Sequence, residues 1–311
     1  MTDAGVIDDT TLIPAAAAAA QPAGMLSQLW QATRRDPSAM AGLFILALLT
    51  FMAIFGPTLA PYGGSEIVRD ESGRVMVLQP PSGQFWFGTT ANGRDVFSQM
   101  LYGARPVLLV GLICALVPTA VGYLLGLMAG YLRGGVDTVI SRVVEIFYSI
   151  PSDPFAIVLL VLLQPTLFTL ILAISLTYWR RPTRVVRNYV LTLTGSSFIK
   201  SARVAGASST WIMLRHLAPL SLPLAFVYVP IGFANAVLAE ASLSFLGFGD
   251  PHLVSWGGLM RDAFNGGALY EGWWWIVAPG IAITLTAVAM FLVTRPFEEV
   301  IDPRLREKGA V

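Results

Sequence analysis

The chain alternates long apolar runs with shorter polar stretches, and the run lengths set the first expectation. A helix needs about 20 mostly apolar residues to cross the hydrocarbon of a bilayer. Six blocks approach or reach that length: residues 39–59, 106–130, 144–163, 166–180, 219–240 and 273–294. The fourth is the shortest. The third contains "PSDP", where Pro151 and Pro154 each remove a backbone donor, an interruption that survives only against protein or water. Blocks three and four are separated by little more than Gln164 and Pro165, which predicts a tight helical hairpin. The fold class expected is all-α: a polytopic membrane protein with six transmembrane helices, the first over 38–60 and the rest within a core over 106–296.

The polar stretches fill in the organisation. Residues 1–24, with "PAAAAAAQPAG", lack the basic flank and long apolar region of a secretory signal and read as a disordered tail. Over 25–37, Met25, Leu26, Leu29 and Trp30 recur at helical spacing before Arg34 and Arg35, the pattern of an amphipathic helix lying in the membrane interface. Residues 61–105 form a long external loop whose aromatics, glycines and charges predict a small folded element. A second external loop, 241–272, ends in "YEGWWW", so Trp273, Trp274 and Trp275 read as interfacial anchors. Residues 297–311 form a cytoplasmic tail.

Composition agrees with lipid as the solvent. Only 13% of the 311 residues are charged, against about a quarter in soluble domains, and the mean hydropathy is +0.66. The net charge of +1 says little; its distribution says more. With both termini cytoplasmic, the inner segments hold 15 of the Lys and Arg residues and the outer ones 5, the positive-inside bias. The lone Cys114 excludes an intrachain disulfide, and His216 and His252 lie too far apart to suggest a metal site.

The basic excess concentrates in a cytoplasmic loop, 181–218, within an acid-free run between Asp153 and Glu240. Arg184 and Arg187 stand one helical turn apart, placed to touch lipid phosphates or seal the end of a span. Phe198, Ile199, Ala202 and Ala205 give one apolar helical face. Gly206 breaks the helix, and Trp211, Ile212, Leu214 and Leu217 form a second amphipathic run. A helix, a glycine turn and a second helix outside the bilayer make a projecting knob, and an exposed apolar face of that kind marks a partner site.

"KSARVAGASSTWIMLRHLAPLSLP" resembles the EAA loop of importer-type ABC transporter permeases. "FGTTANGRDVFSQMLYGAR", "AGYLRGGVDTVISRVVEI", "LAEASLSFLGFG", "SWGGLM" and "DPRLR" resemble, in the same order, the C-type permease subunit of dipeptide/oligopeptide ABC importers. The likeness runs over nearly the whole chain after residue 30. It implies a type I importer permease fold in a bacterial inner membrane. It also implies a homologous B-type permease partner, two ATPase subunits carrying ATP and Mg, and an extracytoplasmic solute-binding protein. Membrane lipid is the surrounding partner, and no nucleic acid is expected.

In that family the short helix docks into the ATPase. Ser201, Ala202, Gly206 and Ala207 occupy motif positions, with Lys200, Arg203 and Ala205 in the same coupling segment. The usual glutamate is Lys200 here and the first alanine is Ser201; "MFLVTRPFEEV" lacks the usual asparagine and glycine. Peptide is the substrate expected, with haem, nickel complexes or glutathione as alternatives within the same machinery.

No catalytic residue, cofactor or metal is expected in this chain. A phosphate loop needs Gly-Lys-Ser/Thr, whereas Lys200 follows Ile199 and Lys308 follows Glu307. An intramembrane enzyme would need a nucleophile with its base, paired acids or a metal site in the spans, and none is apparent. A gradient-driven transporter would carry internal repeats with paired broken helices, which one interrupted helix does not supply. Glu240 and Asp153 are candidates for the pathway or a gate, because acids at membrane depth are costly and often functional. Glu240 reads better as a buried hydrogen-bonding partner of the turn after its span. Glu145 reads as the ion-pair partner of Arg142. "NGRD" offers Asn92 or Asp95 as a helix cap, and Asn92, Arg94 and Asp95 as a docking point for the binding protein.

Overall fold

The structure is a computed structural model and describes residues 30–301. The tail expected over 1–24, the first part of the interfacial helix and the end of the C-terminal tail lie outside the described residues. The described residues form helices and two isolated antiparallel bridges, Arg69 with Val75 and Thr89 with Asp95.

A short helix α1, residues 30–35, places Arg34 over the Trp30 ring at 4.9 Å. Asp36 then caps α2, Pro37–Leu59, by accepting from the Ser38 amide at 2.8 Å. Pro57 inside α2 cannot donate to the carbonyl four residues earlier. Arg105 makes good the loss: its Nε donates to the Ala53 carbonyl at 2.6 Å and its Nη2 to that of Ile54 at 2.8 Å.

Helix α3 runs over Val96–Leu132, ten residues longer at its start than the apolar block. Hydropathy misses those turns because they are sheltered by protein rather than lipid. Trp256 is fully buried there, and its Nε1 donates to the Met100 carbonyl at 3.0 Å. Asp95 is the cap of α3, accepting from the Ser98 amide and hydroxyl at 2.8 and 2.6 Å. The polar segment ahead of α3 therefore spans about 60–95, with Phe85, Thr89 and Thr90 buried as its own small core.

The third apolar block becomes two helices, α4, Gly134–Ser149, and α5, Ser152–Leu163, whose axes bend by 87° at Ile150–Pro151. Helix α6, Leu167–Tyr178, follows the expected hairpin at Gln164–Thr166. Twelve residues of α6 rise only about 18 Å, too little for a core of about 30 Å. The chain continues into α7, Arg180–Thr194, whose arginines make it polar. Beyond lie α8, Ser197–Val204, and α9, Ser209–Ile212. A π-helical turn, Met213–Leu217, then leads into α10, Ala218–Phe245. Two short helices, α11 Trp256–Asn265 and α12 Ala268–Glu271, precede α13, Trp274–Ile301.

Among the described residues four helical stretches are long and apolar enough to cross a membrane, and the bent α4–α5 pair makes five if it is one span. Six separate spans are not found. The difference lies in the third block, which the Ile150–Pro151 break divides, and in the fourth, which is completed by a polar helix instead of an apolar one.

The tryptophan triplet also departs from expectation. Trp273 is exposed, but Trp274 and Trp275 are buried, and Trp274 Nε1 donates to the Thr89 carbonyl at 3.2 Å. The 60–95 segment folds over the start of α13, so two of the three indoles are core rather than interfacial anchors. This end of the bundle, holding 60–95 and 246–273, is the loop end; residues 195–208 mark the knob end.

Candidate functional site

Two features of the bundle are candidates for function: the knob after α7 and a polar cavity between α3, α4, α5, α6, α7 and α10. The knob is built from α8, the turn at Gly206 and α9. Ile199, Ile212 and Leu217 are fully buried against Leu127, Val186 and Val190. Ile199 and Ile212 from the knob, with Leu217 from the π-helical turn after it, thus enter one apolar cluster with α3 and α7. Gly206 adopts φ +84°, a left-handed backbone that glycine accepts and other residues resist. Its amide donates to the Arg203 carbonyl and the Ala207 amide to that of Ala202, both at 3.0 Å, closing the end of α8. Ser208 caps α9 by accepting from the Trp211 amide at 3.3 Å.

The outward face of the knob is apolar and basic. Lys200, Ser201, Arg203, Ala205 and Gly206 are exposed, while Ala202 and Ala207 are half-buried. Val204 is 90% exposed, with Phe198, Trp211 and Leu214 also open to the surroundings. His216 stands edge-on to the rings of Trp211 and Phe198, at 4.7 and 6.2 Å between centroids. The four apolar residues expected on one face of α8 therefore divide: Ile199 and Ala202 turn inward, Phe198 and Ala205 outward. Of the second run, Ile212 and Leu217 turn inward and Trp211 and Leu214 outward. Val204 escaped notice in the sequence because a lone valine at a helix end carries no periodic signal. The π-helical turn sits where α9 passes into α10, a distortion frequent at functional sites.

The knob is joined to α3 through a seam of backbone. A β-carbon added to Gly122 would lie 2.5 Å from the Trp179 carbonyl oxygen; on Gly126, 2.6 Å from that of Thr183; on Gly130, 2.8 Å from that of Arg187. Three glycines at every fourth position thus let α7 approach α3 closer than any side chain would allow. Arg187 is committed to a protein partner, and the exposed Arg184 also lies against a ring. Arg187 Nη2 meets Asp137 Oδ2 at 2.7 Å, and Arg184 lies over the Tyr148 ring at 5.6 Å. Arg133, with φ +53°, donates from Nη2 to Thr194 Oγ1 at 2.8 Å, tying the ends of α3 and α7. Arg203 sits over the Tyr131 ring at 5.3 Å.

The cavity has a volume of about 220 Å³. Cys114 and Thr119 of α3, Asp153 of α5, Tyr178 of α6, Arg181 of α7 and Tyr228 of α10 are among its lining. A further hollow continues from Asp153, Tyr178 and Asn235 along α10 past Ala239 and Ser242 to Leu246. On α10, Tyr228, Gly232, Asn235, Ala239, Ser242 and Leu246 recur at steps of three and four, so one face of the helix lines both spaces. Arg180 holds the α4–α5 elbow beside the cavity: Nη1 donates to the Phe147 carbonyl at 2.8 Å and Nη2 to Ser152 Oγ at 2.6 Å.

The other sequence candidates lie elsewhere. Glu240 is 3% exposed, away from the cavity lining, and its Oε1 accepts from Ser244 Oγ at 2.7 Å. Glu145 pairs with Arg142 at 2.8 Å on an exposed face. At the loop end Asn92 is exposed and Arg94 half-buried, but Asp95 is 3% exposed and occupied as a cap, so it supports the surface from beneath. Among the described residues no three or more His, Cys, Asp or Glu side chains stand together as a metal site.

Knob, seam and cavity together describe a membrane-embedded permease. Residues 122–307 match the binding-protein-dependent transport system inner membrane component family, and the chain belongs to it. Residues 24–81 match the N-terminal TM domain of oligopeptide transport permease C. The chain is 35% identical to the dipeptide transport system permease protein DppC of Bacillus subtilis, over 89% of this chain and 85% of the relative. It is 31% identical to the di/tripeptide transport system permease protein DppC of Pseudomonas aeruginosa, over 90% and 93%. Its identity to the oligopeptide transport system permease protein OppC of Bacillus subtilis is 31%, over 88% of each chain.

Proposed function

We propose that this chain is the C-type permease subunit of an ATP-driven importer of di- and oligopeptides. A homologous B-type permease completes the pathway, two ATPase subunits bind and hydrolyse ATP with Mg, and an extracytoplasmic binding protein delivers the peptide. The chain lies in a bacterial inner membrane with both termini and the knob on the cytoplasmic side, as its positive charge favours. The α6–α7 pair supplies the sixth passage, with its basic half at the cytoplasmic surface. The names of the relatives support peptide as the cargo.

In this reading ATP draws the ATPases together and the knob moves with them. A ligand biases two states only through its different affinity for each, so the contacts at the knob differ between inward- and outward-open forms. The seam carries the displacement into α3 without slack, and the cavity beside the elbow opens or closes. Asn92 and Arg94 belong to the face that receives the binding protein.

The observation that carries the reading is Val204, 90% exposed at the tip of a knob whose other side is locked into the core. An apolar side chain so exposed adds little to the isolated chain and is open to a partner. Val204→Glu should insert normally but lose co-purification of the ATPases and at least about tenfold of ATP-driven uptake, as interface truncations of about 1–2 kcal/mol would give. Unchanged ATPase capture together with unchanged uptake would overturn it.

A further inference from the structure

The cavity contains two side chains that the coupling pathway leaves unused. Asp153 and Arg181 both line it, both are exposed, and neither has a hydrogen-bonded or ion-paired side-chain partner among the described residues. Arg180, its neighbour, is fully engaged by the Phe147 carbonyl and Ser152. The two free charges are close in effect without touching. Tyr178 lies within electrostatic reach of both, and Arg181 also reaches Tyr228. They therefore share one small space lined also by Tyr148, Tyr178, Tyr228 and Asn235.

Charges left unpaired but open to a cavity of a membrane protein are available to a solute, and such residues mark solute pathways. An acid and a base lining one cavity of about 220 Å³ suit a small solute with one ammonium and one carboxylate. The side-chain amide of Asn235 offers N–H donors and a carbonyl acceptor, the complement of a peptide bond. The tyrosine rings can cover apolar side chains of different shapes.

We propose that Asp153 and Arg181 form a two-ended recognition site for the backbone of a short zwitterionic peptide in transit. Asp153 accepts from the α-ammonium, Arg181 donates to the α-carboxylate, and Asn235 meets the intervening amide. This rests on the peptide-importer reading and adds a selectivity step within the permease itself, after release from the binding protein.

The test uses the complete complex in liposomes with ATP inside, and binding protein loaded to saturation with one of three probes. These are alanyl-alanine, its N-acetyl derivative and its C-terminal amide. For Asp153→Asn, the ratio of alanyl-alanine uptake to N-acetyl-peptide uptake should fall about tenfold, the scale of one charge-assisted hydrogen bond. For Arg181→Gln, the corresponding fall should appear against the C-terminal amide instead. Asp153→Glu and Arg181→Lys should restore most of each ratio, which a folding defect would not permit. Ratios unchanged in both variants, with wild-type import intact, would overturn the recognition site alone. A wild-type complex that imports none of the three probes would overturn both this site and the peptide-importer reading.

Discussion

The α3–α7 seam and the α4–α5 elbow are both junctions between helices, and they are held in opposite ways. At the seam, glycines 122, 126 and 130 put the backbone of α3 against carbonyls of α7, with no flexible side chain between them. At the elbow, the axes part by 87° around Ile150 and Pro151, and the angle is kept by two hydrogen bonds from Arg180 and the ring of Tyr148 beneath its guanidinium at 5.0 Å. A backbone contact is nearly incompressible; a long side chain has other rotamers within reach. One junction is therefore stiff and the other compliant. The knob is attached to the first and the cavity lies beside the second; in the proposed mechanism a push on the knob becomes a change in the cavity.

The strongest way to break that contrast is at the seam. Gly126→Leu forces a side chain into the Thr183 carbonyl, and the two helices must separate to admit it. We expect a loss of about 3 kcal/mol or more, at the upper end of overpacking costs, seen as a lower thermal midpoint of the purified complex. A midpoint equal to wild type would show that the seam has slack.

At the elbow the expected effect is smaller. Arg180→Ala leaves the Phe147 carbonyl and Ser152 hydroxyl without their donor, a cost of about 1–3 kcal/mol. The chain should still insert and assemble. Spin labels at Val139 on α4 and Leu162 on α5, both exposed, should report a broader distance distribution than in wild type. An unchanged, narrow distribution would mean that the prolines alone set the bend.

A third prediction, the smallest, concerns a turn outside both junctions and serves as a control. Asp70 accepts from Ser72 Oγ at 2.7 Å and from the Arg74 amide at 2.8 Å. The Ser72 hydroxyl first, then the Arg74 amide, hold its carboxyl below the usual aspartate value. A lowered folded-state pKa means that the contribution is present above the ordinary value and is lost as pH falls through the folded one. Exchange protection of the Arg74 amide should accordingly drop below about pH 4, and Asp70→Asn should remove that step. The elbow, held by an arginine donating to a carbonyl and a hydroxyl, should not respond over the same range.

Much of the working surface was legible from residue order. Gly206 between two amphipathic runs predicted a helix, a turn and a second helix, and the backbone at +84° is that turn. The "NGRD" stretch predicted a cap, and Asp95 provides it. The residues that line the cavity were mostly not legible. Tyr148 sits on α4, Arg181 on α7, and Tyr228 and Asn235 on α10; a helical period links the last two, but nothing periodic joins the three helices. Arg184 and Arg187 looked available to lipid because their partners, Tyr148 and Asp137, lie tens of residues earlier in the chain. Trp274 and Trp275 resembled a membrane belt because an aromatic triplet reads alike whether lipid or a folded loop covers it.

By itself the sequence determined the solvent, the helical class, the charge asymmetry and the existence of a knob, because each depends on neighbours within one or two turns. Tertiary structure alone decided where α3 begins, how the third and fourth apolar blocks divide, and which charges stay free in the cavity. Those outcomes depend on what a distant segment places against a residue: a buried arginine with a carbonyl partner and one facing an empty space are the same letter until the helices pack.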